Sequence, residues 1–360
     1  MKIMIGAGGT GGHLFPAMAV LEQLEILTNG NLKASFVGTP DRIESRVVPS
    51  KGYDFTPMPI SGFAGISLKS LALPFKIMKS ISICKKLIKE FKPDAVLCTG
   101  AYISYPAGAA ASSMNVPLFL MESNVNPGKT IKVLSKKATK IFTSFEKTKT
   151  FFPLLHENIV EFTGNPVRKN LLDLPSQQSA RKSFQIDEHK STVLIFGGSL
   201  GARSINSAVE KNFNAISNSN LQFIWQTGKS YNLNKKMPQN IKKFEFIEDM
   251  ASAYAAADIV VSRSGATSVA EICVCGKPSI LIPLPSASNN EQYENGLALE
   301  QAKATWLIKD SDASGNLFNK IFDLAAKQII RDEMSKNTLK LSKPDAAKVC
   351  AGKILDYLNK

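Results

Sequence analysis

The chain has 360 residues, enough for two domains that each bury a hydrophobic core. Hydrophobic residues make up 44% of it and charged residues 21%, which excludes a disordered chain, and no apolar run reaches the roughly 18 residues that cross a bilayer. The formal net charge of +14 favours a polyanionic partner, which is nucleic acid, anionic lipid or a phosphorylated substrate.

The first half of the chain alternates predicted strands and helices. Strands are predicted at Lys2–Ile5, Ala34–Val37, Ala95–Cys98 and Leu118–Met121, and helices at Pro16–Leu27 and Pro106–Met114. This alternation is typical of a mostly parallel sheet with helices on both faces. Because the first strand starts at Lys2, no signal peptide precedes it, and we expect a protein that stays in the cytoplasm.

The second half repeats this organisation. Strands are predicted at Thr192–Phe196, Phe223–Gln226, Ile259–Ser262 and Ser279–Pro283, and a last amphipathic helix at Pro344–Leu358. A polar linker with two prolines separates the halves between Asn165 and Ser179. We therefore predict one domain at 1–165, a second at 166–343 and a C-terminal helix at 344–360, with ligands bound at the carboxyl ends of the strands.

A glycine loop, Gly6–Gly12, follows the first strand and opens a helix. It contains the GxGxxG pattern of dinucleotide-binding folds, but those folds also need an acidic residue at the end of the second strand. The second strand ends in Phe36–Thr39 without one, so we do not expect NAD or FAD. What remains is a set of backbone N–H groups at a helix N-terminus, which suits a diphosphate.

Two more loops follow strands in the second half. Gly197–Ala202 repeats the glycine loop, and the absence of a following Gly-Lys-Ser or Gly-Lys-Thr argues against a P-loop. Arg263–Gly265 leads into a helix that contains Glu271. A carboxylate there suits two ribose hydroxyls, although the spacing alone favours an exposed glutamate on the helix surface.

The sequence predicts no metal site and no cofactor. The five cysteines form no CxxC pair, and there are only three histidines. Asp310-Ser311-Asp312 has the Asp-x-Asp form that some glycosyltransferases use for a divalent cation, but a solvated turn is the better interpretation in this polar loop.

Six motifs together give the chain a full-length resemblance to the MurG family, the N-acetylglucosamine transferases of peptidoglycan synthesis. They are GGTGGH (8–13), GNPVR (164–168), GGSLGAR (197–203), FIEDM (246–250), RSGATSVAE (263–271) and EQYENG (291–296). The resemblance implies an α/β fold of GT-B architecture, with two Rossmann-like, doubly wound domains, a cleft between them, and a C-terminal helix that crosses back onto the first domain. It implies no metal.

The resemblance also implies an inverting reaction. N-acetylglucosamine would pass from UDP-N-acetylglucosamine to the 4-hydroxyl of an undecaprenyl-linked N-acetylmuramyl-pentapeptide, lipid I, giving lipid II. The first domain would bind the acceptor and face the membrane, and the second would bind the UDP-sugar. We expect a peripheral protein on the cytoplasmic face of the bacterial inner membrane.

The resemblance also implies roles for particular residues. Those expected around the donor are Thr10, Gly11, Gly12, Asn124, Arg168, Ser199, Phe246, Ile247, Glu271, Gln292 and Asn295. Ser199 would contact a phosphate, Glu271 the ribose, and the Ile247 backbone the uracil edge. The loops expected on the acceptor side contain Gly9, Tyr102 and Ser104.

The attacking hydroxyl needs a base, and a histidine has a suitable pKa. His13, beside the first glycine loop, is the first candidate and Glu122 the alternative. The chain departs from the family's pattern at four positions near these sites, namely Ala101, Tyr105, Ser123 and Glu291.

A basic segment of the first domain predicts contact with anionic lipid. Between Lys69 and Lys92 there are seven lysines and one acid, and on a helical wheel Lys79, Lys86 and Lys89 lie opposite the apolar stripe that contains Cys84. The lysines expected at the membrane are Lys76, Lys79 and Lys86. A glycine-containing loop just before this segment would insert shallowly through its apolar side chains, which are Ile60, Phe63, Ile66 and Leu68.

Three other functions fit parts of the pattern. The chain could be another GT-B glycolipid glycosyltransferase or a UDP-sugar 2-epimerase, although three histidines are few for an epimerase. A basic nucleic-acid-binding protein would interleave aromatic side chains with its lysines, and this pattern is missing, so we expect no nucleic-acid partner.

Overall fold

The computed structural model describes residues 1–61, 73–155, 158–233 and 235–360, and these form two compact units. The first unit contains Met1–Arg168 and Pro344–Lys360, and the second contains Lys169–Lys343. The chain therefore leaves the first unit once and returns to it at its end.

The described residues of the first unit form a seven-stranded, fully parallel sheet. Its strands are β1 (Lys2–Gly6), β2 (Lys33–Gly38), β3 (Asp54–Pro57), β4 (Ala95–Cys98), β5 (Leu118–Glu122), β6 (Lys140–Thr143) and β7 (Val160–Phe162). They lie in the order β3-β2-β1-β4-β5-β6-β7. The order reverses between β1 and β4, and this switch point is where open α/β sheets bind ligands.

Helices cover both faces of this sheet. They are α1 (Gly11–Leu27), α2 (Ile43–Ser50), α3 (Leu73–Phe91), α4 (Ala101–Ser113) and α5 (Lys129–Leu134). Helix α1 packs on one face, and α3, α4 and α5 pack on the other. The middle strands read as continuous apolar runs because both faces are covered, and Ile3, Met4 and Ile5 have no exposed surface.

The second unit has the same plan within its described residues, with a six-stranded parallel sheet. Its strands are β8 (Thr192–Phe196), β9 (Gln222–Gln226), β10 (Ile241–Phe244), β11 (Ile259–Ser262), β12 (Ser279–Leu281) and β13 (Thr305–Leu307). The order is β10-β9-β8-β11-β12-β13, so the switch point lies between β8 and β11.

The helices of the second unit flank this sheet. They are α6 (Gln177–Ser183), α7 (Arg203–Lys211), α8 (Phe213–Ser217), α9 (Met250–Ala256), α10 (Ala266–Val274), α11 (Glu291–Gln301), α12 (Ala313–Ala326) and α13 (Gln328–Leu341). Helices α7 and α12 pack together over a core centred on Trp225, which is fully buried. The loops after β8 and β11 open at the same edge of the sheet, because parallel strands share their carboxyl ends.

A final helix, α14 (Ala346–Leu358), completes the first unit. It packs against α1, and Cys350, Ala351 and Ile354 are fully buried in the same core as β1. Lys353 adds an ion pair with Glu161 at 3.3 Å. The α/β prediction with two doubly wound domains is confirmed.

Helix α1 starts earlier than the sequence predicted. It begins at Gly11 and contains Pro16, whereas the prediction began at Pro16. The reason is that the Thr10 carbonyl accepts hydrogen bonds from the backbone N–H groups of His13 and Leu14, which closes the first turn ahead of the proline. The strands that the sequence missed are short and lie on the outer sides of the sheets, at β3, β6, β7, β10 and β13.

The predicted membrane loop is corrected at one of its residues. Ile60 is only 5% exposed and packs in the core beside α3, so it is not available to a lipid surface. Phe63, Ile66 and Leu68 lie outside the described residues. None of the helices in the described ranges combines the length and the hydropathy that a membrane crossing requires.

Candidate functional site

The first glycine loop is built around a carboxylate that the sequence did not point to. Glu44 of α2 is fully buried, and its carboxylate accepts hydrogen bonds from the Gly9 N–H at 2.8 Å and from the Thr39 N–H at 3.0 Å. A Cβ on Gly8 would lie 2.4 Å from the Glu44 carboxyl carbon, so that position requires glycine. Among the backbone N–H groups of this loop that the sequence suggested for a diphosphate, that of Gly9 is therefore already bound to Glu44.

The remaining predicted residues of this loop differ in exposure. Thr10 is exposed at the N-cap of α1, and its side chain makes no capping hydrogen bond. Gly11 is buried, and a Cβ there would lie 2.9 Å from the Phe15 ring. Gly12 is half-buried on the next position of the helix. Thr10 thus presents the exposed side chain of this loop.

His13 has the geometry of a base. Its Nδ1 lies 2.8 Å from the Thr99 carbonyl oxygen, which can only accept, so Nδ1 carries the proton and the lone pair of neutral histidine is on Nε2. Burial lowers the pKa of His13 below its ordinary value of 6.5, and the hydrogen bond to Thr99 opposes that shift. The ring is therefore neutral at neutral pH and able to take a proton.

The loop after β4 packs against this ring. Gly100 has φ +90°, and a Cβ on it would lie 3.5 Å from His13 Cε1. Ala101, one of the departures from the family's pattern, has a φ of 54°, a backbone conformation in which residues other than glycine are strained. Tyr102 is half-buried, and burial raises its pKa. The expectation that Ser104 faces the acceptor is corrected, because Ser104 is fully buried and its hydroxyl donates to the Gly6 carbonyl at 2.5 Å.

Glu122 braces the neighbouring loop. It is only 4% exposed, and its carboxylate accepts from the Asn124 N–H at 2.9 Å and from the Gly128 N–H at 2.8 Å. Both oxygens are therefore used to hold the turn that presents Asn124, which argues against Glu122 as the base. Arg168, the last residue of the first unit, places its guanidinium 5.2 Å from the centre of the Phe15 ring.

The second unit contains a pocket of about 620 Å³ at the carboxyl edge of its sheet. The lining residues that the argument uses are Gly197, Gly198, Gly201, Arg263, Gln292 and Asp310. Ser199 is exposed at the tip of the glycine loop that forms one wall. The N-termini of α7 and α10 open beside the pocket, at Arg203 and just after Gly265, which suits an anion.

A second residue that sequence reasoning missed is Gln226, at the end of β9. Its Nε2 donates to the Gly198 carbonyl at 3.0 Å, and its Oε1 accepts from the Ile247 N–H at 2.7 Å. The expected role of Ile247 is corrected in one respect, because its N–H is bound to Gln226 and only its carbonyl can read a base edge. Phe246 is 40% exposed beside it.

Glu271 lies inside α10, as predicted, but it is not on the helix surface. It is 4% exposed, and Tyr254 Oη donates to its Oε2 at 3.2 Å. The exposed-glutamate interpretation is therefore wrong. Tyr254 could not be paired with Glu271 from the sequence, because the contact joins two helices with a strand between them.

Of the last two residues expected at the donor, Gln292 lines the pocket and Asn295 stabilises a neighbouring loop. Gln292 lines the pocket, and its side chain accepts from the Leu284 N–H at 3.0 Å. Asn295 is fully buried and donates to the Ser264 carbonyl at 3.3 Å, so it supports the loop after β11 rather than facing a sugar. Burial raises the pKa of Glu291, the departure from the family's pattern on this helix.

The expectation that Asp310-Ser311-Asp312 is a solvated turn is corrected at Asp310. It belongs to a short 3-10 turn, Asp310–Asp312, but its carboxylate pairs with the Arg263 guanidinium at 2.5 Å and lines the pocket. The interpretation of this segment as a solvated turn holds for Asp312, which is exposed, and is wrong for Asp310.

Comparison with known proteins gives a consistent result along the whole chain. Residues 3–143 match the glycosyltransferase family 28 N-terminal domain, and residues 192–350 match its C-terminal domain. A relative from Cytophaga hutchinsonii, named UDP-N-acetylglucosamine--N-acetylmuramyl-(pentapeptide) pyrophosphoryl-undecaprenol N-acetylglucosamine transferase, is 38% identical over 99% of this chain and 97% of its own. This chain belongs to the MurG family of glycosyltransferases.

Solved structures agree with this assignment. The MurG crystal structure from Acinetobacter baumannii is 28% identical, covers 99% of both chains and has a TM-score of 0.76. A UDP-N-acetylglucosamine 2-epimerase from Neisseria meningitidis has a TM-score of 0.71 over 99% of this chain and 100% of its own, at 17% identity. The epimerase likeness shows the fold alone, and the MurG family likeness includes the sequence.

Proposed function

We propose that this protein transfers N-acetylglucosamine from UDP-N-acetylglucosamine to the 4-hydroxyl of lipid I, with inversion at the anomeric carbon, to give lipid II. The observation that carries the proposal is the open pocket of the second unit, bounded by a glycine loop and two helix N-termini, in a chain of the MurG family. A nucleotide diphosphate is the ligand that such an edge recognises.

The donor half of the reaction depends on the second unit. The ribose hydroxyls would bind the Glu271 carboxylate, and the Ile247 carbonyl would accept from the uracil imide. The N-termini of α7 and α10 would stabilise the departing diphosphate, since their dipoles favour negative charge. Ser199, exposed on the glycine loop, would contact a phosphate oxygen.

The acceptor half depends on His13. As the acceptor oxygen bonds to the anomeric carbon, the bond from that carbon to the UDP oxygen breaks, and the hydroxyl proton passes to His13 Nε2. Thr99 supports this role, because its carbonyl fixes the proton on the other nitrogen. Thr10 and Asn124 lie in the loops after β1 and β5 of the first unit and would contact the acceptor or the transferred sugar.

The decisive experiment measures transfer of radiolabel from UDP-N-acetylglucosamine to a lipid-linked muramyl-pentapeptide analogue. Calorimetry with UDP, UDP-N-acetylglucosamine and NAD accompanies it, and the same transfer assay is repeated with EDTA. We expect transfer that survives chelation, binding of both uridine ligands and no binding of NAD. Binding of NAD without UDP would refute the donor site, and an epimerase would convert the donor without any acceptor.

We also propose that the first unit rests on an anionic membrane through α3. Phe75 is 77% exposed and Met78 is 69% exposed on this helix, next to the exposed Lys79. Lys86 is exposed two turns further on, and Lys76 is half-buried, with its amine 3.5 Å from the Ser61 hydroxyl. Apolar side chains beside lysines suit the headgroup region of an acidic bilayer.

Sedimentation with liposomes tests the membrane proposal. Wild type should bind vesicles of phosphatidylglycerol and phosphatidylethanolamine at low salt and release them at high salt. The double variant Phe75→Ser, Met78→Ser should lose most of this binding, whereas Ile329→Ser, at an 83% exposed position of α13, should not. Equal binding by the double variant would remove α3 from the contact.

A further inference from the structure

One guanidinium in the second unit joins four chain segments. Arg263 follows β11 directly and is 8% exposed. Its Nη1 donates to the carbonyl oxygens of Ile282 at 3.0 Å and Pro283 at 3.2 Å, which follow β12. Its Nη2 donates to the Ser204 hydroxyl at 2.9 Å, at the start of α7. Each of these segments begins at the carboxyl end of a different strand.

Asp310 closes this network from the segment after β13. Its Oδ1 accepts from Arg263 Nη1 at 2.5 Å and from the Ser204 hydroxyl at 2.5 Å. A buried guanidinium needs a nearby carboxylate, because the protein interior solvates charge poorly. Asp310 therefore fixes where the Arg263 charge sits, and Arg263 fixes the spacing of the loops after β8, β11 and β12.

The network forms part of the pocket wall. Ser204, Arg263 and Asp310 line the same 620 Å³ space as the glycine loop and Gln292. A carboxylate would repel a diphosphate, so Asp310 is not suited to bind the donor. Two exposed cations of α7, Arg203 and Lys211, share this lining, and the Lys211 amine donates to the Ser314 hydroxyl at 2.7 Å.

We propose that Asp310 is a positioning residue of the donor pocket, which acts through Arg263 and Ser204. It holds the Arg263 guanidinium against the Ile282 and Pro283 carbonyls, so that the loops reach the spacing a nucleotide-sugar requires. The proposal rests on the proposed donor site in this unit. It gives the first aspartate of the Asp-x-Asp segment a role that involves no metal.

The test compares Asp310→Ala with Asp312→Ala, which removes the exposed aspartate of the same turn. Asp310→Ala should raise the KM for UDP-N-acetylglucosamine about 10-fold or more and leave kcat within about 3-fold, since a hydrogen-bonded charge has been removed. Asp312→Ala should leave both constants unchanged. General destabilisation would instead lower the active fraction, and hence kcat, without changing KM.

Two further variants keep the test decisive. Asp310→Asn retains a hydrogen-bond acceptor and the side-chain shape, so it should fold and restore part of the affinity. Ser204→Ala combined with Asp310→Ala should raise KM by less than the product of the single effects, since both act on one guanidinium. Multiplicative effects would overturn the shared network.

The outcomes separate this inference from the proposed function. Wild type that binds UDP-N-acetylglucosamine, together with an unchanged KM in Asp310→Ala, overturns the positioning role alone. An equal rise in KM for Asp312→Ala also overturns it, because that variant leaves the network intact. Wild type that binds no uridine ligand overturns both.

Discussion

The two glycine loops of this protein have the same pattern and different partners. Each follows an inner strand next to the switch point of its sheet and precedes a helix. In the first unit the buried Glu44 carboxylate accepts the Gly9 N–H, whereas in the second unit the Gln226 side-chain amide donates to the Gly198 carbonyl. One backbone N–H of the first loop is therefore already bound inside the protein, and the second loop lines the pocket of its unit.

This difference divides the chemistry between the two loops. In the first loop Glu44 accepts the Gly9 N–H, and the helix that follows presents His13. The second lines the pocket and is followed by α7, whose N-terminus favours an anion. The glycine pattern alone therefore does not distinguish the two loops, because their hydrogen-bond partners come from other parts of the sequence.

The largest expected effect is on the acid–base role of the first loop. His13→Ala should lower the turnover number by about 10²–10⁴-fold and leave UDP affinity near wild type, as expected for loss of a general base. His189→Ala, at an exposed histidine, is the matched control. Radiolabel transfer and calorimetry measure the two quantities, and a parallel loss of UDP affinity would break the division between the loops.

The pH profile sharpens the same prediction. Burial lowers the pKa of His13 below 6.5, so neutral His13 persists to lower pH than an exposed histidine would. The rate should therefore be at its plateau at neutral pH, and the acidic limb caused by protonation of His13 should lie at lower pH than an exposed histidine would give. The acidic limb should disappear in His13→Ala, and a limb that remains would assign the base elsewhere.

The next effect concerns the charge inside the first loop. Glu44→Ala should lower the free energy of unfolding of the first unit by about 3 kcal/mol, because buried donors lose a charged acceptor. Glu44→Gln should cost less, since one acceptor oxygen remains. Glu90→Ala, with a side chain 63% exposed, is the control. Urea unfolding measures all three, and a Glu44→Ala effect no larger than the control would contradict the structural role of this carboxylate.

The third effect tests the second unit. Glu271→Ala should weaken UDP binding by about 1–3 kcal/mol. It should also lower the unfolding temperature, because the buried Tyr254 hydroxyl loses its acceptor. Glu271→Gln should restore stability and leave the affinity low, while Glu248→Ala, at an exposed site, should change neither. Normal UDP affinity in an unstable Glu271→Ala protein would make Glu271 purely structural.

The smallest effect concerns the loop that packs on His13. Ala101→Gly should raise the free energy of unfolding by about 0.5–1 kcal/mol, because glycine tolerates the positive φ at this position. Ala109→Gly, inside α4, should lower it by about 1 kcal/mol. Thermal unfolding of both variants provides the comparison. If both variants changed the free energy of unfolding in the same direction, this would contradict the strain at Ala101.

The sequence predicted the parts of the fold that are local. Buried strands such as β8 and β11 are short apolar runs that lead into glycine-containing loops, and this pattern identifies them in the sequence. Strand β10 was missed, because its Ile-Lys-Lys-Phe sequence does not show the continuous apolar pattern. The start of α1 was missed because a proline in the sixth helical position looks like a helix boundary.

The site was predictable only as far as its motifs extend. Glu44, Gln226 and Tyr254 each act through a contact that joins separate elements, and no local pattern marks them. Asp310 belongs to an Asp-x-Asp pattern, but that pattern does not indicate its pairing with Arg263. The same limit explains the residues whose roles changed. Ser104, Glu122 and Asn295 are in or near motifs, but their polar atoms are used inside the protein.

The return of α14 to the first unit affects how the chain folds during synthesis. Domains usually fold in the order in which the ribosome releases them. Here the first unit lacks Cys350, Ala351 and Ile354, three fully buried residues of its core, until residues 344–360 have been synthesised. The second unit is complete by Lys343 and can therefore fold first, while the part of the first core that α14 covers stays exposed. A fragment that ends at Arg168 would keep that part of its core exposed, so an independently folding first unit needs residues 344–360 joined to its end.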